Sequence, residues 1–159
     1  MHNKLRFNLV AMIWLLVVIA SPLTGKSQVR AKPDVQVDFI ESSWSATLKK
    51  AKEEHKYIFV DAFATWCGPC RQMKSTTFKN KEVAAFFNKN FVNLSIDAEK
   101  GEGVELAEKW GLESYPTVYI FDSTGKMVSS TEGFADAAGM MKFGKSVVVN
   151  QVHVKEKQL

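Results

Sequence analysis

The sequence predicts an α/β domain, a central mixed β-sheet with helices on both faces. Three observations lead there. Two almost continuous apolar runs, Tyr57–Phe63 (YIFVDAF) and Phe91–Asp97 (FVNLSID), suit strands covered on both sides. Helical stretches stand between and beside them, as parallel crossovers require. A third apolar run, Thr117–Phe121 (TVYIF), leads through Asp122-Ser123-Thr124-Gly125 into Met127–Glu132, the pattern of a closing hairpin.

In chain order, Val35 to Ile40 alternates apolar and polar residues and predicts a short strand. Ser42 or Ser43 caps a helix whose buried face holds Trp44, Leu48, Ala51 and His55. The Tyr57–Phe63 strand follows, with one acid in it, Asp61. A helix is expected from Cys70 to Thr77, where no breaker occurs. Asn80 caps the next, with Val83, Phe86 and Phe87 inside. After the Phe91–Asp97 strand, Gly101 and Gly103 bracket a loop. Val104, Ala107 and Trp110 then line a helix that Gly111 ends. Beyond the hairpin and Gly133, Asp136 starts a last helix through Lys145, although Gly139 and Gly144 disfavour it. Val147–Val149 fits either a continued helix or a strand. Residues 151–159 read as a polar tail, giving a domain over 35–150.

The chain has 159 residues, 46% of them apolar, enough for one domain with a sizeable core. The formal charge of +4 is unevenly placed. Lys4, Arg6 and Lys26 lie in the first 27 residues, which leaves 18 basic against 17 acidic residues downstream. No basic stripe with interleaved aromatics appears, so nucleic-acid binding is not expected.

Residues 1–27 have the pattern of a signal peptide: Lys4 and Arg6, then the apolar run Leu9 to Ala20, then Pro22, Gly25 and Ser27. Cleavage is expected after Ser27, with Ala20 a second candidate, and residues 28–34 read as a linker. The competing reading is an uncleaved anchor over residues 7–23. Twelve helical residues reach only about 18 Å, against roughly 30 Å of hydrocarbon. Export across the inner membrane, to a periplasm-like compartment, would place the domain where dithiols tend to be oxidised.

The only two cysteines stand in Thr65-Trp66-Cys67-Gly68-Pro69-Cys70-Arg71. At a helix start, unpaired amide N–H groups and the helix dipole favour a thiolate at Cys67, the attacking species. Cys70, three residues on, lies on nearly the same helical face and can attack a mixed disulfide formed at Cys67. Pro69 falls in the first turn, where its missing N–H costs nothing. Gly68 leaves Cys67 unshielded, and Trp66 offers an apolar surface to an incoming peptide. A purely structural disulfide would close a four-residue loop, worth about 2 kcal/mol. A metal site needs more ligands than one cysteine pair, and His2, His55 and His153 are scattered, so neither metal nor cofactor is expected.

The segments FVDAFATWCGPCRQMK, NLSID, SYPTVYIF and EGF resemble the thioredoxin superfamily, over roughly Val35 to Lys145. The resemblance implies a thioredoxin-like fold and thiol–disulfide exchange, with Cys67 as nucleophile and Cys70 as resolver. It also implies a buried acid at Asp61, six residues before Cys67, with a raised pKa that suits it to take a proton from Cys70. Pro116 matches the family's cis-proline, which leaves the backbone of the residue before it, here Tyr115, free to pair with an extended peptide. Trp66, Gly68, Pro69, Tyr115 and Pro116 are therefore the expected substrate-binding residues. One departure stands out: Asn93 occupies the position where thioredoxins often carry a lysine beside the acid.

Gly-Pro between the cysteines resembles the reducing members. The expected function is a reductase of protein disulfides outside the cytosol, monomeric and re-reduced by a membrane-embedded electron donor. The alternatives are an oxidant that introduces disulfides and a peptide-binding or chaperone-like module with an idle disulfide.

Overall fold

A computed structural model describes residues 36–156, with side chains described over 36–149. The expected leader (1–27), linker (28–34) and last residues (157–159) lie outside the described residues. Within them the elements run β1 Phe39–Ile40, α1 Trp44–Glu54, β2 Tyr57–Phe63, α2 Gly68–Ser75 and a 3-10 turn Thr77–Lys79. Then come α3 Lys81–Asn90, β3 Phe91–Asp97, α4 Glu102–Trp110, β4 Thr117–Phe121, β5 Met127–Glu132 and α5 Ala137–Glu156. The sheet order is β1-β3-β2-β4-β5, with β1, β3 and β2 parallel, β4 antiparallel to β2, and β5 antiparallel to β4. The mixed sheet expected from sequence is thus observed.

β2 is central and explains the two cores. Its side chains alternate between faces. Ile58, Val60 and Ala62 meet Trp44 and Ala51 of α1, Leu106 and Trp110 of α4, and Phe121 of β4. Phe59 faces the other way, into Met73, Phe78, Val83, Phe87, Met140 and Val147, supplied by α2, the 3-10 turn, α3 and α5. Edge-on ring pairs tie both layers together, Trp44 to Phe121 at 4.9 Å and Phe59 to Phe87 at 4.6 Å. Each such pair adds roughly 1 kcal/mol beyond area burial. Asp61 lies on the Phe59 face, so a carboxyl is carried into an otherwise apolar layer.

Caps fall where the sequence places them. The Ser43 hydroxyl accepts from the Ala46 amide at 3.2 Å, and Asn80 Oδ1 accepts from Glu82 and Val83. Other details differ from expectation. β1 pairs only over Phe39–Ile40, because the Val37 amide turns away to the Phe78 carbonyl at 2.7 Å. His55 is not on the buried face of α1. It is the left-handed residue that ends the helix, and it is exposed. α2 begins at Gly68 and stops at Ser75, where Ser75 and Thr76 hydroxyls both donate to the Gln72 carbonyl.

In α4 the buried stripe is Gly103, Leu106 and Trp110, while Val104 is 52% exposed. The helix is rotated because Gly103 backs directly onto the end of β3. A Cβ there would overlap the Asp97 carbonyl oxygen and stand 2.9 Å from its carbon. α5 also departs from expectation: Val147–Val149 is helical, and the helix continues to Glu156, into the residues expected as a tail. Met140 and Val147 share one face of it and pack with Phe87. Gly144, between them, lets the backbone approach Phe86 and Phe87, where a Cβ would come within 2.8 Å of both rings. Close packing here outweighs the helix cost of glycine. Among the described residues no helix is long and apolar enough to cross a membrane.

Replacing Gly with Ala in an unobstructed helix stabilises it by about 0.5–1 kcal/mol. At Gly103 the sign should reverse. Gly103→Ala is expected to lower unfolding stability by about 3 kcal/mol in urea titrations, because the obstacle is backbone that cannot swing aside. Unchanged or raised stability would contradict the close contact of α4 with β3.

Candidate active site

The site forms where β2 ends and α2 begins. After Phe63 the chain leaves the sheet through Ala64, Thr65 and Trp66 and enters α2 with Cys67 as its N-cap. The Cys67 amide donates to the Ala64 carbonyl at 3.1 Å, and the Cys67 carbonyl accepts from the Arg71 amide at 3.3 Å. Pro69 sits in the first turn. The Arg71 guanidinium donates to the Thr65 carbonyl at 3.0 Å and ties the loop to the helix.

Cys67 and Cys70 form a disulfide, with Cα atoms 5.3 Å apart. The amide of Cys70 donates to Cys67 Sγ at 3.1 Å. This is the charge-stabilising contact expected of a sulfur at a helix start, where backbone N–H groups have no partner within the helix. The remaining expected residues gather around the pair. The Tyr115–Pro116 peptide bond is cis. Tyr115 packs against the cluster of Ala64, Cys67 and Cys70, and Gly133 donates to the Pro116 carbonyl at 2.7 Å. Trp66 is 65% exposed, and its ring meets that of Tyr115 edge-on at 5.5 Å. Its indole N–H donates to both oxygens of Glu99, at 3.0 and 2.9 Å.

Cys67 is more enclosed than the sequence suggests. It is 2% exposed and Cys70 6%. Gly68 is open, as expected, but Phe63 and Tyr115 pack against the pair. In the disulfide form the exposed large apolar side chain at the site is Trp66.

Asp61 is 5% exposed. The Ser95 hydroxyl, directly across the β2–β3 ladder, donates to its Oδ2 at 3.2 Å. Burial pushes the Asp61 pKa up to about 7. The Ser95 hydrogen bond and the charge of Lys74 oppose that rise. A cavity of about 190 Å³ joins Asp61 to Cys70 and is lined also by Phe63, Arg71 and Lys74. A second, of about 280 Å³, opens from Asp61 toward β1, past Ser95, Glu41 and Lys74. The first has room for water between carboxyl and sulfur.

Asn93 stands opposite Phe59, two residues along β3 from Ser95. Its amide donates to Asn88 Oδ1 at 3.1 Å and to the Asp38 carbonyl at 3.5 Å, so it turns away from Asp61. Three further residues join the site that no sequence motif assigns to it: Ser95, Lys74 and Glu99. Lys74 is legible from helical spacing, being one turn past Cys70 on the same face. Ser95 follows only from the strand register, and Glu99 from a loop conformation that no pattern announces. Among the described residues, no cluster of His, Cys, Asp or Glu could hold a metal ion.

Comparison with known proteins agrees with this geometry. A family model for a thioredoxin-like domain matches residues 44–147. A protein disulfide-isomerase of Datisca glomerata is 22% identical over 138 residues, covering 87% of this chain and 27% of that protein. Thioredoxin-1 of Drosophila melanogaster is 38% identical over 80 residues, covering 50% of this chain and 69% of that one. The chain thus spans about a quarter of the curated isomerase's length. Among solved structures, a Bacteroides thetaiotaomicron protein provisionally called a disulphide-isomerase is 46% identical. It covers 67% of this chain and 88% of its own, with a TM-score of 0.62. The C-terminal domain of Neisseria meningitidis DsbD, in its reduced form, is 27% identical, covering 64% and 91%, with a TM-score of 0.55.

The Asp61 carboxyl links stability to pH. Its folded pKa, about 7, lies above the unfolded value near 3.8. Between those values the folded state holds the extra proton, so stability is full below about pH 4 and falls as pH rises toward 7. The shift corresponds to a loss of roughly 4 kcal/mol at most. Denaturant titrations of the disulfide form should show this decline, and Asp61→Asn should flatten it and be the more stable protein at pH 8. Equal slopes in both proteins would contradict a buried, titrating Asp61.

Proposed function

The chain belongs to the thioredoxin-like domain family, and from that premise we propose that it reduces disulfides of other proteins through its Cys67–Cys70 couple. The observation that carries this reading is the Cys70 amide donating to Cys67 Sγ at the start of α2, beside a cis-proline. A thiolate at Cys67 attacks one sulfur of a substrate disulfide. The substrate S–S bond breaks, a mixed disulfide forms at Cys67, and the departing sulfur leaves as a thiolate with the electron pair. The Asp61 carboxylate takes the Cys70 proton through water in the intervening cavity. The Cys70 thiolate then attacks the Cys67 sulfur, and the second substrate sulfur departs. The substrate gains two electrons, and the protein is left as the disulfide.

Tyr115 and Pro116 present backbone to an extended peptide, while Trp66, Gly68 and Pro69 form the facing surface. The reducing direction is favoured by the Gly-Pro pair and by the absence of a large helical insertion, since β3 and β4 are joined only through the nine-residue α4. With the expected leader, this is a reductase working outside the cytosol, in a periplasm-like compartment. There it needs a dithiol donor fed through the membrane. The likeness to a DsbD domain known in both reduced and oxidised forms supports a domain that shuttles between the two states.

The test is equilibration of the couple in redox buffers, paired with a trap. A reductase should have a potential of about −270 mV or lower, and Cys70→Ser should accumulate mixed disulfides with extracytosolic proteins. A potential near −120 mV would reverse the direction. If Cys70→Ser captures nothing, the exchange reading fails as a whole.

A further inference from the structure

Asp61 needs a compensating charge that the strands do not provide. Its carboxyl shares a cavity with Phe39, Phe63 and Phe78 and has one hydrogen bond, from the neutral Ser95 hydroxyl. A carboxylate in such a place must be offset by a cation or hold its proton. The groups facing it come from three elements: Ser95 on β3, Glu41 just past β1, and Cys70, Arg71 and Lys74 on α2. Arg71 is engaged at the Thr65 carbonyl. Glu41 has the wrong sign. Lys74 is the remaining cation, and among the described residues it is in no salt bridge.

The position of Lys74 is specific. It lines both cavities that meet at Asp61. Its ammonium lies 5.9 Å from the centre of the Phe63 ring, and Phe63 is the same-face neighbour of Asp61 along β2. It is also four residues past Cys70, so its side chain runs alongside the route from sulfur to carboxyl. We infer that Lys74 is a positioning residue for the resolving step, its charge acting across the cavities to hold Asp61 as the carboxylate while Cys70 gives up its proton. The same charge favours the Cys70 thiolate, which offsets the basicity that the stabilised carboxylate loses. The downward pull of Lys74 on the Asp61 pKa is in the same direction. The inference rests on the proposed role of Asp61 as proton acceptor.

The experiment compares the parent protein with Lys74→Met, Lys74→Arg and Asp61→Asn. One measurement follows the Asp61 carboxyl by carbon NMR across pH in the disulfide form. The other follows resolution of a preformed mixed disulfide at Cys67 across pH. Lys74→Met should move the carboxyl midpoint up by about half a pH unit and slow resolution about threefold below that midpoint. Lys74→Arg should restore both, and 0.5 M salt should narrow the gap between parent and Lys74→Met. A carboxyl midpoint unmoved in Lys74→Met overturns the inference, even where resolution still depends on Asp61. A midpoint that moves while Asp61→Asn resolves as fast as the parent overturns the proton-acceptor reading instead.

Discussion

The structure turns on one contact: the Cys70 amide, in the first turn of α2, donates to the sulfur of Cys67. Everything around it serves to hold that helix start in place. β2 delivers the chain to the site at its C-terminal end, and its central position, with β3 on one side and β4 on the other, leaves that end little freedom. Pro69 holds the first turn, Arg71 ties the helix back to Thr65, and Met73 anchors α2 in the core. A helix this short, eight residues, would be unstable alone. Its stability is borrowed from Phe59, Phe78 and Phe87, so the environment of the Cys67 sulfur depends on the aromatic packing that holds the helix.

Two ionisable groups with opposite surroundings make the site chemically asymmetric. Cys67 sits where partial positive charge converges, which favours its anion. Asp61 sits where apolar side chains converge, which favours its acid form. Environments that push two groups apart in this way suit the proposed division of roles, Cys67 as nucleophile and Asp61 as proton acceptor. The arrangement is a local conflict with stability. A hydrophobic residue at position 61 would pack better with its same-face neighbours Phe59 and Phe63, yet the acid lies in the central strand of the sheet.

Most of the fold was legible in the sequence because its signals are local. The apolar runs of β2 and β3, the caps Ser43 and Asn80, and the turn before β5 each depend on residues within a few positions of one another. The cysteine motif was legible for the same reason. What escaped depends on contact between distant segments. Val104 is the more apolar residue, yet Gly103 is the buried one, because only glycine fits against Asp97. Val147–Val149 has strand-like composition, but at α5 no strand partner is offered and a helix buries Val147. The surroundings of Asp61 required the register that sets Ser95 opposite it, and the packing of Tyr115 against the cysteine pair required the path of β4.

The central claim is that the start of α2 makes Cys67 an unusually acidic thiol. The most direct measurement is the rate of alkylation of the reduced protein as a function of pH, with mass spectrometry assigning the modified residue. The account predicts that Cys67 reacts first, with a midpoint well below the value near 8.5 of an unperturbed thiol, while Cys70 stays unmodified until higher pH. A midpoint at or above 8.5 for Cys67, or preferential modification of Cys70, would contradict it.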